Sequence, residues 1–280
     1  MKEFQGKVAV ITGAAEGIGK AIAEEAAARG MKLVLADIDA ARLDATTAAL
    51  RAKGADADGL RVDVAKPSQV DDLADLAFVR FGRVHLLVAN AGVACAKPAW
   101  DTTPGDWEWV MGVNLYGVTN ALRAFVPRMM AGGEEGHVVA TASMAGLLSL
   151  PGMAAYYASK HAVVTVMEGL HHDLAIRRAK IRASVLCPGW VRTRIALSER
   201  HRTAGEVTKA DSLDPVTAKL VASVQEAVAQ GIEPAEAARA VFAAIAGGRF
   251  YVLTHADSKS GVKSRLEDIL KDRVPTLVRL

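Results

Sequence analysis

The sequence predicts an α/β fold: one domain spanning residues 1–280, with helices on both faces of a single doubly wound, parallel, seven-stranded sheet. Three observations carry this. Short apolar, β-rich runs alternate with longer helical runs along most of the chain, the pattern of a parallel sheet covered on both faces. Several of those apolar runs are continuous, as strands buried on both sides are. A glycine-rich turn over residues 12–19 stands between the first apolar run and the first helical one.

The strands are expected at 8–11, 33–36, 58–62, 86–89, 137–141, 181–187 and 250–253, in the spatial order 3-2-1-4-5-6-7. The first helix, 17–29, follows the glycine turn, and the second, 40–52, is built of helix formers and ends near Gly54. The third, 68–81, starts after Pro67, a helix-start signal. Residues 106–130 read as one or two helices before the Gly132-Gly133 break, and 156–178 as one long helix. A helix at 235–246 precedes Gly247-Gly248 and the last strand. Residues 198–231 fit the alternation least: polar first, helical from about 214. A long excursion at this point reads as a substrate lid. The tail, 259–280, holds an amphipathic stretch at 262–270 that docks on its own subunit, docks on a partner, or frays.

Of the 280 residues 51% are hydrophobic, and the formal charge is +3, a globular composition with room for a full core. No recognition motif accompanies the small positive charge, so no nucleic-acid partner is expected. Arg177, Arg178, Lys180, Arg182, Arg192, Arg194, Arg200 and Arg202 form one locally basic stretch. It reads as a solvated helix end and loop, or as a rim that attracts acidic substrates or carriers. Cys95 and Cys187 make no disulfide framework and lack metal-ligand spacing, so no metal is expected. No signal-peptide layout and no bilayer-spanning run is found. A cytoplasmic protein with no membrane partner is expected.

The turn reads Thr12-Gly13-Ala14-Ala15-Glu16-Gly17-Ile18-Gly19. Glycines let the backbone approach a pyrophosphate, and the following helix offers it free N–H groups. Gly13, Glu16, Gly17, Ile18 and Gly19 are therefore cofactor-binding candidates. A glycine turn also arises for structural reasons alone; its place after the first strand favours a dinucleotide. Asp37, at the end of the second strand with Ile38 beside it, suits the adenosine ribose, because a carboxylate accepts both hydroxyls and repels a 2′-phosphate. Glu16 adds negative charge, and neither position offers an Arg or Lys, so NAD is expected over NADP. Alternatively Asp37 merely caps the helix near Ala40, a role Asp39 fills equally well.

Tyr156 and Lys160 are one helical turn apart and project together. An ammonium beside a phenol lowers its pKa and suits it to acid/base work. Tyr157 is less well aligned with Lys160 and is expected to pack. Ser143 ends the fifth strand, at the edge where ligands bind in open α/β sheets, and can donate to a substrate carbonyl. No Gly-x-Ser-x-Gly elbow surrounds it, which argues against a serine hydrolase. His161, His171 and His172 read as surface or packing residues, as do Trp100, Trp107 and Trp109. Trp190 is placed to border a substrate pocket.

Taken together and in order, residues 12–19, Asp63-Val64, Asn90-Ala91-Gly92, Asn114, Ser143, Tyr156, Lys160 and Pro188-Gly189-Trp190-Val191-Arg192-Thr193 resemble the short-chain dehydrogenase/reductase family, over roughly residues 5–255. The resemblance implies a Rossmann domain in which Asp63 and the Val64 backbone contact the adenine. It implies that Asn90, Ala91 and Gly92 line the cofactor site and that Asn114 holds a water in a proton relay from Lys160. Pro188, Gly189, Val191 and Thr193 would hold the nicotinamide end. Residues 231–234 and 250–255 are similar to longer family members, some of which oxidise benzylic alcohols.

The expected reaction is reversible oxidation of a secondary alcohol, hydrophobic or aromatic, to a ketone with NAD. Tyr156 exchanges the proton, Ser143 orients the oxygen, and Lys160 tunes Tyr156 and holds the nicotinamide ribose. One rival is a carrier-linked 3-oxoacyl reductase, which the basic stretch favours and Asp37 and Glu16 disfavour. Another is a non-catalytic dinucleotide sensor or scaffold, against which the complete Asn/Ser/Tyr/Lys set weighs. The resemblance also implies a homodimer or homotetramer, paired through helices at 115–130 and 156–178. In the second of these Val163, Val166, Met167 and Leu170 exceed one buried stripe.

Overall fold

The computed structural model describes residues 1–202 and 214–277. Seven parallel strands form one sheet: β1 Val8–Thr12, β2 Lys32–Asp37, β3 Ala57–Arg61, β4 Leu86–Ala89, β5 Gly136–Thr141, β6 Ile181–Cys187 and β7 Tyr251–Leu253. Their order is β3-β2-β1-β4-β5-β6-β7, as the sequence predicts. The chain therefore starts at the centre, winds outward to β3, and crosses back to β4. That reversal between β1 and β4 makes a crevice at the carboxyl edge of the sheet.

Alternation along the strands splits the core in two. Val8 and Val10 face one layer with Val34, Val138 and Val185, while Ala9 and Ile11 face the other with Leu33, Leu35, Val88 and Val139. Helices α3 (Pro67–Phe81), α5 (Gly117–Ala131) and α6 (Ala154–Ile176) cover the first layer. Helices α1 (Gly17–Ala28), α2 (Ala40–Ala52) and α8 (Pro234–Gly247) cover the second. Phe125 of α5 and Phe242 of α8 are the bulkiest fully buried side chains.

The expected helix at 106–130 is two. Helix α4 (Pro104–Met111) passes through a π-helical turn, Gly112–Tyr116, into α5. Such turns carry a locally shifted hydrogen-bond register and recur at functional sites; this one holds Asn114, fully buried. Helix α4 starts with a reciprocal capping box between Thr103 and Asp106. Within the expected lid, a 3-10 stretch at Ile195–His201 and helix α7 (Pro215–Ala229) are described, and residues 203–213 lie outside the described residues. The amphipathic stretch of the tail is helix α9, Ser258–Leu270. No helix among the described residues is long and apolar enough to cross a membrane. Cys95 and Cys187 are buried free thiols.

Candidate active site

Because all strands are parallel, the residues that follow each strand gather at one edge, around a cavity of about 1060 Å³. At its first end the glycine turn meets α1. A Cβ on Gly19 would lie 2.0 Å from the Gly13 carbonyl oxygen, so only glycine lets the helix begin this close to the strand. The α1 N-cap residue, Glu16, makes no side-chain capping bond, and Gly13, Gly17 and Ile18 line the cavity at this uncapped helix start. Asp37 closes the same end. Its Oδ2 accepts from Ala15 N at 3.0 Å and its Oδ1 from Asp39 N at 3.0 Å. The cap of α2 is Asp39, not Asp37, which leaves Asp37 a fixed carboxylate on the cavity wall beside Ile38.

One expectation fails here. Glu16 adds no free negative charge, because it is met by Arg42 at 2.7 Å, Arg194 at 3.3 Å and Arg200. Arginines remote in sequence converge on the end of the cavity where none was expected, so a preference for NAD rests on Asp37. Arg200 also donates to the carbonyls of Arg194 and Leu197. The stretch after β6 is thereby fastened to the glycine turn. The basic run of the sequence is largely solvated, as one reading expected, yet several of its members are paired, with Arg177 on Asp173 and Arg192 on Glu233 as well.

Along the middle of the cavity lie Asp63, Val64, Asn90, Ala91 and Gly92. The Asp63 carboxylate accepts from Ala65 N, and the Val64 carbonyl accepts from Asn120. Asn90 ties three strands together: its Nδ2 donates to the carbonyls of Thr12 and Gly13, and its Oδ1 accepts from Thr141.

At the far end stand Ser143, Tyr156 and Lys160. Ser143 Oγ accepts from Ala145 N at 3.1 Å. Lys160, 3% exposed, reaches across from α6 to donate to the Thr141 carbonyl at 2.9 Å. Its Nζ lies 5.7 Å from the centre of the Tyr156 ring. The ammonium was expected to lower the Tyr156 pKa. Burial wins instead: Tyr156 is raised above the ordinary phenol, with a Ser143 hydrogen bond pulling the other way. Burial also lowers Lys160 to about 8, against a smaller upward effect of Cys187. Burial of the phenol outweighs the charge-stabilising contacts, which is why the expected direction reverses.

Of the predicted site residues, Gly19 and Asn114 do not line the cavity; the others do. The Asn114 side chain is spent on structure. Its Oδ1 accepts from Val93 N, and its Nδ2 donates to the Val93 carbonyl and to Ser159 Oγ. Pro188, Gly189, Trp190, Val191 and Thr193 form the turn after β6 along the same wall.

The same cavity has an apolar lining, its chamber, from Val93, Ala94, Trp109, Met153, Val221 and Val224. Tyr157 and Trp109, expected only to pack, open onto it, whereas Trp100 is 84% exposed. Sequence reasoning missed an ion cluster beside this chamber. Asp106, 1% exposed, accepts from Lys97 at 2.7 Å, from Arg202 at 2.6 Å and from Thr103. Burial pushes its carboxyl upward, but those hydrogen bonds prevail and hold it well below the usual range. Arg202 stacks 4.7 Å from the Trp109 ring. It also missed His255, which lines the cavity from the end of β7. The signal available was the one that found Ser143: a polar residue just past a strand's carboxyl end.

The residues fit a nicotinamide dinucleotide by this structure alone: an uncapped helix start, a fixed carboxylate at one end and a buried lysine at the other, in one cavity. No cluster among the described residues could hold a metal ion.

The family model described as "short chain dehydrogenase" matches residues 7–204. A CLA biosynthesis dehydrogenase/reductase of Lactiplantibacillus plantarum is 37% identical over 277 residues, 98% of this chain and 97% of its own length. A 1-deoxy-11-beta-hydroxypentalenate dehydrogenase of Streptomyces avermitilis is 35% identical, over 95% of this chain and 91% of its own. Among solved structures, a short-chain dehydrogenase/reductase from Burkholderia phymatum in complex with NAD superposes with a TM-score of 0.96 at 46% identity, over 100% of this chain and 99% of that one.

Proposed function

The chain belongs to the short-chain dehydrogenase family of Rossmann-fold oxidoreductases, and from that membership we propose that it interconverts a secondary alcohol and a ketone with NAD(H). The observation that carries the reading is the single cavity with Asp37 at one end and Ser143, Tyr156 and Lys160 at the other. The NAD complex of the Burkholderia phymatum relative and the hydroxylated substrate in the name of the Streptomyces relative support it.

In this reading the Asp37 oxygens accept the hydroxyls of the adenosine ribose, and the first amides of α1 hold the diphosphate. Asp63 and Val64 border the adenine. Asn90, Ala91 and Gly92 floor the groove, while Thr193 and the 188–191 turn hold the nicotinamide end. The bound dinucleotide supplies or accepts the hydride. Ser143 Oγ accepts from Ala145 N and is hydrogen-bonded to Tyr156; in this reading it turns its hydrogen to the substrate oxygen. Tyr156 gives that oxygen its proton in reduction and removes it in oxidation. Lys160 holds the nicotinamide ribose, and its charge there favours the Tyr156 phenolate. Asn114 braces Val93 and, through Ser159, the helical turn that carries Tyr156. The apolar chamber takes the body of a hydrophobic or aromatic substrate, and the segment 198–231 serves as its lid.

A panel of secondary alcohols and ketones, followed by NADH absorbance, tests the reading. Tyr156→Phe should lower turnover by about 100-fold or more, the scale of lost general acid/base catalysis, and should leave NAD affinity nearly intact. Tyr157→Phe, which keeps the proton-transfer hydroxyl, is the control. A Tyr156→Phe enzyme with near wild-type turnover refutes the assignment.

A further inference from the structure

His255 stands at the carboxyl end of β7, one strand further along the sheet edge than the turn that follows β6. Its ring lies flat against Gly189: a Cβ there would meet the His255 Nδ1 at 2.6 Å and Cε1 at 3.0 Å. The imidazole is therefore seated on the 188–193 turn, and it lines the same cavity as Tyr156, Met153 and Trp109.

Its hydrogen bonds bear on which nitrogen is available. Gly189 N donates to Thr254 Oγ1 at 3.1 Å, and Thr254 Oγ1 lies 2.8 Å from His255 Nδ1. The Thr254 hydroxyl either donates to Nδ1 or accepts from it, and the two arrangements put the proton of a neutral ring on Nε2 and on Nδ1 respectively. In the first, Nδ1 accepts and Nε2 carries the proton. Nε2 has no protein partner among the described residues. An N–H donor on the wall of an apolar chamber is costly when unmet, and selects the ligand that meets it.

We propose that His255 is a specificity-determining residue: its Nε2–H recognises a second hydrogen-bond acceptor oxygen on the substrate, beyond the reacting carbonyl. The inference rests on the alcohol/ketone reading above. It narrows the substrate class to molecules with an apolar body, a reacting secondary alcohol or ketone, and a further carbonyl, ether or carboxylate oxygen. The reacting oxygen belongs to Ser143 and Tyr156; the second oxygen belongs to His255.

Two measurements on the full-length protein test this. Reduction by NADH of propiophenone and of 1-phenyl-1,2-propanedione compares the same skeleton without and with a second carbonyl. The intrinsic reactivity of the dione cancels when the ratio of the two kcat/KM values is compared between enzymes. That ratio should fall about tenfold in His255→Phe, the scale of one hydrogen bond, and recover in part in His255→Gln, whose amide restores a donor. An unchanged ratio overturns the proposal, and so does a loss of NADH affinity that accounts for the whole effect, which would make His255 a cofactor residue. The second measurement needs no turnover. In protein labelled with ¹⁵N-histidine, the His255 signal, assigned by its loss in His255→Gln, should report the Nε2–H form, and Thr254→Val should mix the tautomers. With NADH bound, the Nε2–H signal should shift on adding the dione and not on adding propiophenone. A shift with neither ketone, or an Nδ1–H form, overturns the proposal even if the enzyme reduces both. A shift with the dione in an enzyme that reduces neither would fault the reaction and leave the recognition standing.

Discussion

Asp37 holds its carboxylate toward the adenosine end of the groove with both oxygens pinned by backbone amides, so it cannot swing away from an added phosphate. NAD(H) should bind at least about tenfold tighter than NADP(H), about 1.4 kcal/mol, in calorimetric titrations of both. Asp37→Ser should remove most of that gap, because Arg42, Arg194 and Arg200 already stand around Glu16 and can meet a 2′-phosphate. Equal affinities in the wild type would refute the role of Asp37. The aspartate was legible because it ends a strand at the ligand edge. The arginines were not: nothing local in the sequence brings residues 42, 194 and 200 to residue 16. The Tyr156–Lys160 spacing was legible as well, but not the direction of their pKa values. Spacing reports which groups meet, whereas burial, which raises one and lowers the other, depends on every element packed around them.

Helix α4 is where one side chain does the most structural work. Asp106 closes the capping box, holds Lys97 and Arg202, and is buried while doing so. Removing one partner of a buried ion pair strands the others without compensation. Asp106→Ala should therefore destabilise the protein by about 3–5 kcal/mol, read as a lower denaturant midpoint at unchanged slope. A loss below about 1 kcal/mol would show the cluster to be as weak as a surface pair. The strands were legible to within a residue or so, because strands buried on both faces read as continuous apolar runs. Whether 106–130 is one helix or two stayed open in the sequence, since a π turn keeps helical periodicity and needs no proline to form it. The role of Asp106 was hidden for another reason. Its capping partner is local, but Arg202 reaches it from the far side of β6.

The sheet order, the largest-scale feature, was the most legible, because alternating strand and helix units with right-handed crossovers leave few ways to wind. Assembly was less so. Val163 and Met167, counted toward a second apolar stripe on α6, both lie in the core, and Leu170 packs against it. Exposed apolar side chains include Tyr116, Met130 and Ile176 on the helices expected to pair, and a larger group on and after α9: Leu266, Ile269, Leu270, Val274 and Leu277. Such a group in one segment needs a covering surface, and we expect an oligomer. Light scattering at micromolar concentration should give two or four times 29.5 kDa, and a mass near the single value would refute it. The fastening of Ile195–His201 to Glu16 bears on kinetics. In the proposed reading the dinucleotide lies beneath this segment, so its release would part Arg194 and Arg200 from that carboxylate, and these part-exposed pairs are open to screening by salt. Cofactor residence time should shorten as ionic strength rises, with hydride transfer itself unchanged. Where release limits the cycle, added salt should speed turnover, and a deuterium isotope effect masked at low salt should emerge at high salt. An isotope effect of the same size at both would mean that the fastening governs nothing beyond the fold.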